Sequence, residues 1–300
     1  MPGDPAAGAD PAGTEPAAAD FDRLFSAASP GIRGVWELVE PELPPEIEPL
    51  SFVSLALLRQ VARALDLSPG QALVDLGCGR GGPGLWLARA ADAALTGVDF
   101  SAVAVAEATR RAALFGLAGR ARFLVGDLTR TGLPRASADA AVSVDAFHFA
   151  ADRASAAAEA RRVLRPGRRL VLTNWQPKVP GDARLPRRAR IDWPQLLHGA
   201  GFADVELAAT PLASSTPAAT PAPTVRPRSV ARGAQSTYMR TWGATEYVCA
   251  DSAERIRWVH GCLPRPDRRV TIHMDGKEML YGWHLVRVRR PRRSLSTWDR

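Results

Sequence analysis

The residues that could carry chemistry cluster between positions 75 and 149. "VDLGCGRGGPG" (74–84) sets Asp75 two residues before Gly77 and holds five glycines between positions 77 and 84. Gly77, Gly79 and Gly82 fit the spacing G-x-G-x-x-G, which lets backbone approach a ligand at the start of a helix. That spacing alone would also suit a nicotinamide dinucleotide, so the flanking acids must discriminate. A pyrophosphate would meet the Asp75 carboxylate unfavourably, whereas a cationic ligand would not. Asp99 ends the next apolar run with Phe100 beside it, a pairing suited to two ribose hydroxyls and the face of a base. Asp127 and Leu128 follow the third run; the carboxylate can accept from an exocyclic amine while the leucine N–H serves a ring nitrogen. Asp145 ends the fourth. Acids at strand ends also cap the helices that follow, and any one of these four could do only that. Four in register beside a glycine turn point to an adenosine bearing a cationic group and no phosphates.

"DAFHFAAD" (145–152) places His148 as the candidate general base, since a neutral imidazole can take a proton from a hydroxyl, an amine or an activated carbon. Its other possible role is to hydrogen-bond within the loop and shape it. Phe147 and Phe149 are expected to alternate between core and pocket wall. Trp36, Phe52, Phe147 and Trp175 are the candidate walls of a substrate pocket, with Phe21 near them. Cys78 sits in the glycine turn for its small size, with no activating partner in view. Cys78, Cys249 and Cys262 show no C-x-x-C spacing, and with the five histidines they form no recognisable metal set, so no metal is expected.

Alternating elements must position these groups. "SFVSLALLRQVARALDL" (51–67) has helical periodicity, with Ser51 as its expected cap. Strands are expected over 72–76, 95–100, 122–127, 139–146, 168–175 and 204–210. Helices are expected over 84–91, 101–116, 152–164 and 192–202, the third stopped by Pro166-Gly167 and the last capped by Asp192. Such β–α alternation gives a doubly wound, mostly parallel sheet with helices on both faces, and right-handed crossovers bring every strand's C-terminal end to one edge. Further on, 269–274 and 283–289 could pair around Asp275-Gly276.

"VDLGCGRGGPG", "GVDFS", "VGDLTRTGLP", "SADAAVSVDAFHF" and "EARRVLRPGRRLVLTNW", in that order, resemble the successive motifs of class I S-adenosylmethionine-dependent methyltransferases, the actinobacterial small-molecule type in particular. The likeness covers about residues 21–210. It implies an α/β Rossmann-like seven-stranded sheet with a reversed last strand, S-adenosyl-L-methionine as cofactor, and methyl transfer to a small molecule, for instance in natural-product biosynthesis. It also implies that Asp75, Gly77, Cys78, Gly79 and Gly81 surround the methionine part, that Asp99 and Phe100 hold the ribose and its base, and that Asp127 and Leu128 hold the adenine. The loop from Asp145 would face the methionine end and the acceptor. A nicotinamide-dependent oxidoreductase and a non-catalytic, cofactor-binding member of the fold are the alternatives.

Charge and composition set the remaining limits. Residues 211–300 hold 16 basic and 7 acidic side chains, a net of +9; the rest hold 23 and 24, a net of −1. The motif-bearing part therefore lacks the basic footprint of a nucleic-acid surface. No signal segment and no apolar run of spanning length is evident, so no membrane partner and a cytoplasmic location are expected. The expected divisions are a disordered tail (1–20), an N-terminal helical cap over the acceptor (21–70), a cofactor-binding core (71–210), a Pro/Ala/Ser/Thr-rich linker (211–237) and a basic C-terminal segment (238–300). That last segment is the candidate source of the reversed strand. Two other accounts of residues after about 210 stay open, an added segment or an out-of-frame translation of a GC-rich gene.

Overall fold

A computed structural model describes residues 18–27, 42–49, 51, 53–177, 191–210, 271–274 and 277–291. Its strands are β1 (Ala72–Leu76), β2 (Ala94–Asp99), β3 (Ala121–Val125), β4 (Ala138–Val144), β5 (Leu164–Pro177), β6 (Ala203–Thr210), β7 (Thr271–Met274) and β8 (Lys277–Arg289). Its helices are α1 (Ala18–Ala27), α2 (Leu55–Leu65), α3 (Gly82–Ala90), α4 (Ala102–Arg111), α5 (Arg153–Val163) and α6 (Trp193–Gly199). Two 3-10 turns, Ala112–Phe115 and Phe147–Phe149, follow α4 and β4.

Seven strands lie in the order β3-β2-β1-β4-β5-β8-β6, and β7 pairs with the near end of β8. The pairs β1–β2, β1–β4, β2–β3 and β4–β5 are parallel, while β8 runs antiparallel to both β5 and β6. The reversed strand thus comes from the C-terminal segment, with Val286 and Val288 buried in the sheet. Asp275-Gly276, the expected turn between β7 and β8, lies outside the described residues.

The central strands read as apolar runs because both faces are covered. Leu73, Val142 and Val171 face Leu57, Leu58 and Val61 of α2 and Leu85 and Leu87 of α3. Val74, Leu76, Ala141, Leu170 and Leu172 face Ala156 and Ala160 of α5 and Trp193 and Leu197 of α6. Burying each such leucine or valine contributes about 1.5–3 kcal/mol. Among the described residues no helix is long and apolar enough to cross a membrane.

Several boundaries differ from expectation for local reasons. Ser54, not Ser51, caps α2: its Oγ accepts from Leu57 N at 3.1 Å, and the helix begins only after it. With Leu57, Leu58 and Val61 in the core, α2 is a layer of the sheet sandwich and not part of a cap. Ala18 to Asp20, expected in the tail, belong to α1. Pro166-Gly167 lie inside β5, absorbed by an irregularity in its pairing with β4. Helix α4 tightens to 3-10 geometry at Ala112 and stops at Gly116, whose φ is 69°.

Candidate functional site

The site begins with the turn from β1 into α3. Gly77 takes φ 76°, Gly79 φ 50° and Gly81 φ 81°, a backbone path that L side chains resist. A Cβ on Gly77 would fall 2.5 Å from Ala146 Cβ. The Gly77 and Cys78 amides donate to Val98 O, so the turn is laid across the end of β2. Cys78 is buried, and burial together with Asp99 and Asp75 pushes its thiol pKa up, which keeps it a non-nucleophile.

Asp99 closes β2 and is 5% exposed. Its Oδ2 accepts from Gly79 N at 2.8 Å and its Oδ1 from Ser101 N at 2.9 Å. Burial raises its pKa, and these backbone amides oppose the rise. Each oxygen retains acceptor capacity, so the carboxylate is oriented for a pair of hydroxyls. Ser101 caps α4, accepting from Ala104 N, and donates its hydroxyl to Asp22 of α1. Phe21 of α1 stands 5.1 Å from Phe100 and edge-on to Phe149 at 5.3 Å, ring centre to ring centre.

These groups enclose a crevice of about 270 Å³ at the C-terminal edge of the sheet, near the lower end of the ~300–1,000 Å³ typical of small-molecule sites. The glycine turn, Asp99, Phe100, Asp127, Leu128 and Phe149 are on its wall. Asp127 is exposed; its Oδ1 accepts from Thr129 N and Oγ1, which sets the bend after β3.

Two of the four expected acids point elsewhere. Asp75 is 1% exposed and outside the crevice lining. Period-two alternation puts it on the Leu73 face, under α3, where a Cβ on Gly84 would fall 2.2 Å from its Oδ2. Its Oδ1 has no hydrogen-bond partner among the described residues. Burial first, then Asp99, push its pKa up to about 7. Asp145 adds to the crevice wall, but its side chain is fully enclosed and burial raises its pKa well above the usual range. Of the four expected acids, Asp99 and Asp127 are thus the two whose carboxylates are not shut away from the crevice.

The expected acceptor side also needs correction. His148 is 5% exposed and off the crevice lining; its ring packs 4.1 Å from Phe149, and its Nδ1 lies 4.0 Å from Asp145 Oδ1. Arg153 donates twice to its carbonyl. Phe147 is fully buried against Trp193, at 6.1 Å, so it belongs to the core and Phe149 to the wall. Trp36 and Phe52 lie outside the described residues. The backbone at Trp175 pairs with Trp283 near the same sheet edge. Gly81 turns the chain behind the lining, against Ala108 and Phe123. Sequence patterning missed Phe25, Glu48 and Arg80, which line the crevice through contacts distant in the chain. Arg80 is engaged by Glu48 at 3.1 Å and Glu107 at 3.3 Å.

Comparison with known proteins shows where the likeness lies. A model of the methyltransferase domain matches residues 74–172. The 27-O-demethylrifamycin SV methyltransferase of Amycolatopsis mediterranei is 35% identical over 136 residues, 45% of this chain and 50% of that protein. Methyltransferase GfsG of Streptomyces halstedii is 32% identical over 131 residues, 44% and 47% of the two chains. The chain thus spans about half the length of these curated relatives. Among solved structures, the [4+2]-cyclase SpnF matches with a TM-score of 0.51 at 22% identity, covering 79% of this chain and 81% of that one, a likeness of fold alone. Residues 74–172 thus resemble the methyltransferase domain family, and the strand order is that of the fold the solved structures share.

Proposed function

We propose that the chain is an S-adenosylmethionine-dependent methyltransferase that acts on a small molecule by direct displacement. The observation that carries this is Asp99, held by two backbone amides with acceptor capacity left over, beside Phe100 and a turn whose glycines admit close approach. These groups fit a nucleoside without phosphates. Arg80, already engaged by Glu48 and Glu107, is poorly placed to receive a diphosphate. The match to the methyltransferase domain gives a nicotinamide oxidoreductase no support.

Bound S-adenosylmethionine would supply a methyl group that is already electrophilic, so the protein's work is alignment and exclusion of water. Asp99 would hold the ribose, and Asp127 with Leu128 the adenine. Phe21, Phe100 and Phe149 form an aromatic wall suited to a largely apolar acceptor. No imidazole among the described residues lines the crevice, and transfer by proximity needs none when the acceptor is already nucleophilic. The acceptor atom, oxygen, nitrogen or carbon, is then a property of the acceptor presented.

Calorimetry with S-adenosylhomocysteine and with NADH, followed by labelled methyl transfer into metabolite extracts with mass analysis, tests the proposal. Binding of the first ligand with a labelled product supports it. NADH binding alone overturns it, and S-adenosylhomocysteine binding without any transfer assigns the fold another task.

A further inference from the structure

Residues 46–48 lie outside the matched domain, yet they are built into the glycine turn. The Ile47 carbonyl fills the space over Gly82, where a Cβ would fall 1.8 Å from it, and Ile47 itself is fully buried. Behind both lies Arg111 of α4, 2% exposed. Its Nη1 donates to the Arg80 carbonyl at 2.9 Å, and its Nη2 donates to the Glu46 carbonyl. One guanidinium thus grips the main chain of the turn and of the segment together. Carboxylates of Glu48 and Glu107, at 3.8 and 3.9 Å, offset its buried charge. The Arg80 side chain returns to those same two carboxylates. Glu48, on the crevice wall, is held at φ 38°. Such a conformation is strained for a non-glycine residue and persists where its surroundings over-determine it.

We propose, resting on the methyltransferase reading above, that Arg111 is a positioning residue of the cofactor site: it fixes residues 46–48 against the glycine turn and keeps that wall of the crevice preformed for a nucleoside sulfonium. The planar fork is what allows one side chain to reach two carbonyls in fixed directions, and a lysine ammonium lacks it.

The test is S-adenosylhomocysteine binding by the full chain, measured by calorimetry well below each variant's melting temperature. Arg111→Lys keeps the charge and loses the fork; it should bind at least about tenfold more weakly while folded, since a buried acceptor is left unmet. Gly82→Ala displaces the Ile47 carbonyl by a separate route and should weaken binding similarly, which keeps the inference testable if Arg111→Lys fails to fold. Arg89→Ala removes the pair with the Glu46 side chain and a contact with the Phe115 ring, neither of which touches the main chain of the turn, and should stay within about twofold. A merely structural role would lower the melting temperature and leave the dissociation constant alone. Folded Arg111→Lys or Gly82→Ala protein that binds within about twofold of a binding wild type overturns the inference. A wild type that does not bind overturns the functional reading and, with it, this one.

Discussion

The backbone N–H of Gly79 donates to Asp99 Oδ2 at 2.8 Å, so the turn after β1 is fastened to the end of β2 through the very carboxylate proposed to hold the ribose. Asp99→Asn can satisfy only one of the two amides that now point at it, because one oxygen becomes a donor. Leaving a buried donor unmet costs about 1–3 kcal/mol. S-adenosylhomocysteine affinity should fall roughly 10- to 100-fold, with a lowered melting temperature. An unchanged dissociation constant by calorimetry would remove Asp99 from the cofactor site.

Two glycine substitutions separate backbone strain from steric contact. Gly77 and Gly116 have similar φ values, 76° and 69°, but a Cβ would strike Ala146 at Gly77 and nothing within 4 Å at Gly116. Gly116→Ala should destabilise by only about 1 kcal/mol, the conformational part. Gly77→Ala should lose a further ~1–3 kcal/mol as the loop after β4 is pushed away. Urea denaturation of the two variants reads the difference directly; equal losses would show that Ala146 yields without cost.

How much of this was legible in the sequence depends on the range of the contacts. The glycine turn and Asp99 were readable because a local path fixes them: apolar strand, glycines, capped helix. Asp75 was misplaced although its alternation with Leu73 already assigned it to the buried α3 face. Phe147 and Phe149 were seen to diverge, but only Trp193, from a distant helix, decides that Phe147 is the core residue. Arg111 and Glu46 are 65 positions apart, and neither carries a local pattern that announces the other. The reversed strand was legible over 283–289, where Val286 and Val288 alternate with Arg287 and Arg289, but its reach back to Lys277 was not.

Stability should depend on pH through Asp75. Its carboxyl titrates near 7 in the fold and near 3.8 when exposed. The folded chain therefore keeps a proton that the unfolded chain has released. The favourable contribution is complete below about 3.8, is lost as pH rises, and is gone above about 7, a change on the order of a few kcal/mol. Asp75→Asn should flatten that slope between pH 4 and about 7 in chemical denaturation. A wild-type slope identical to the variant's would show that Asp75 ionises normally.

Phe21 should matter to the acceptor more than to the cofactor. Its ring joins Phe100, beside the proposed ribose site, to Phe149, on the wall proposed for the acceptor. Phe21→Ala forfeits three aromatic contacts, with Phe25, Phe100 and Phe149, about 0.5–1.5 kcal/mol each, and unroofs the crevice. The acceptor's KM should rise roughly tenfold, while S-adenosylhomocysteine binds within about threefold of wild type. The reverse split in steady-state kinetics and calorimetry would place Phe21 over the adenosine instead.

His148→Ala decides whether an imidazole does chemistry here. The ring is buried behind Phe149, so its loss should loosen that wall and lower stability by about 1–3 kcal/mol. General-base catalysis is worth about 10²–10⁴ in rate, far more than a loosened wall removes. Turnover of the folded variant should therefore stay within about tenfold of wild type. A loss of ~100-fold or more in kcat at unchanged KM would mean that the loop swings His148 into the crevice during turnover.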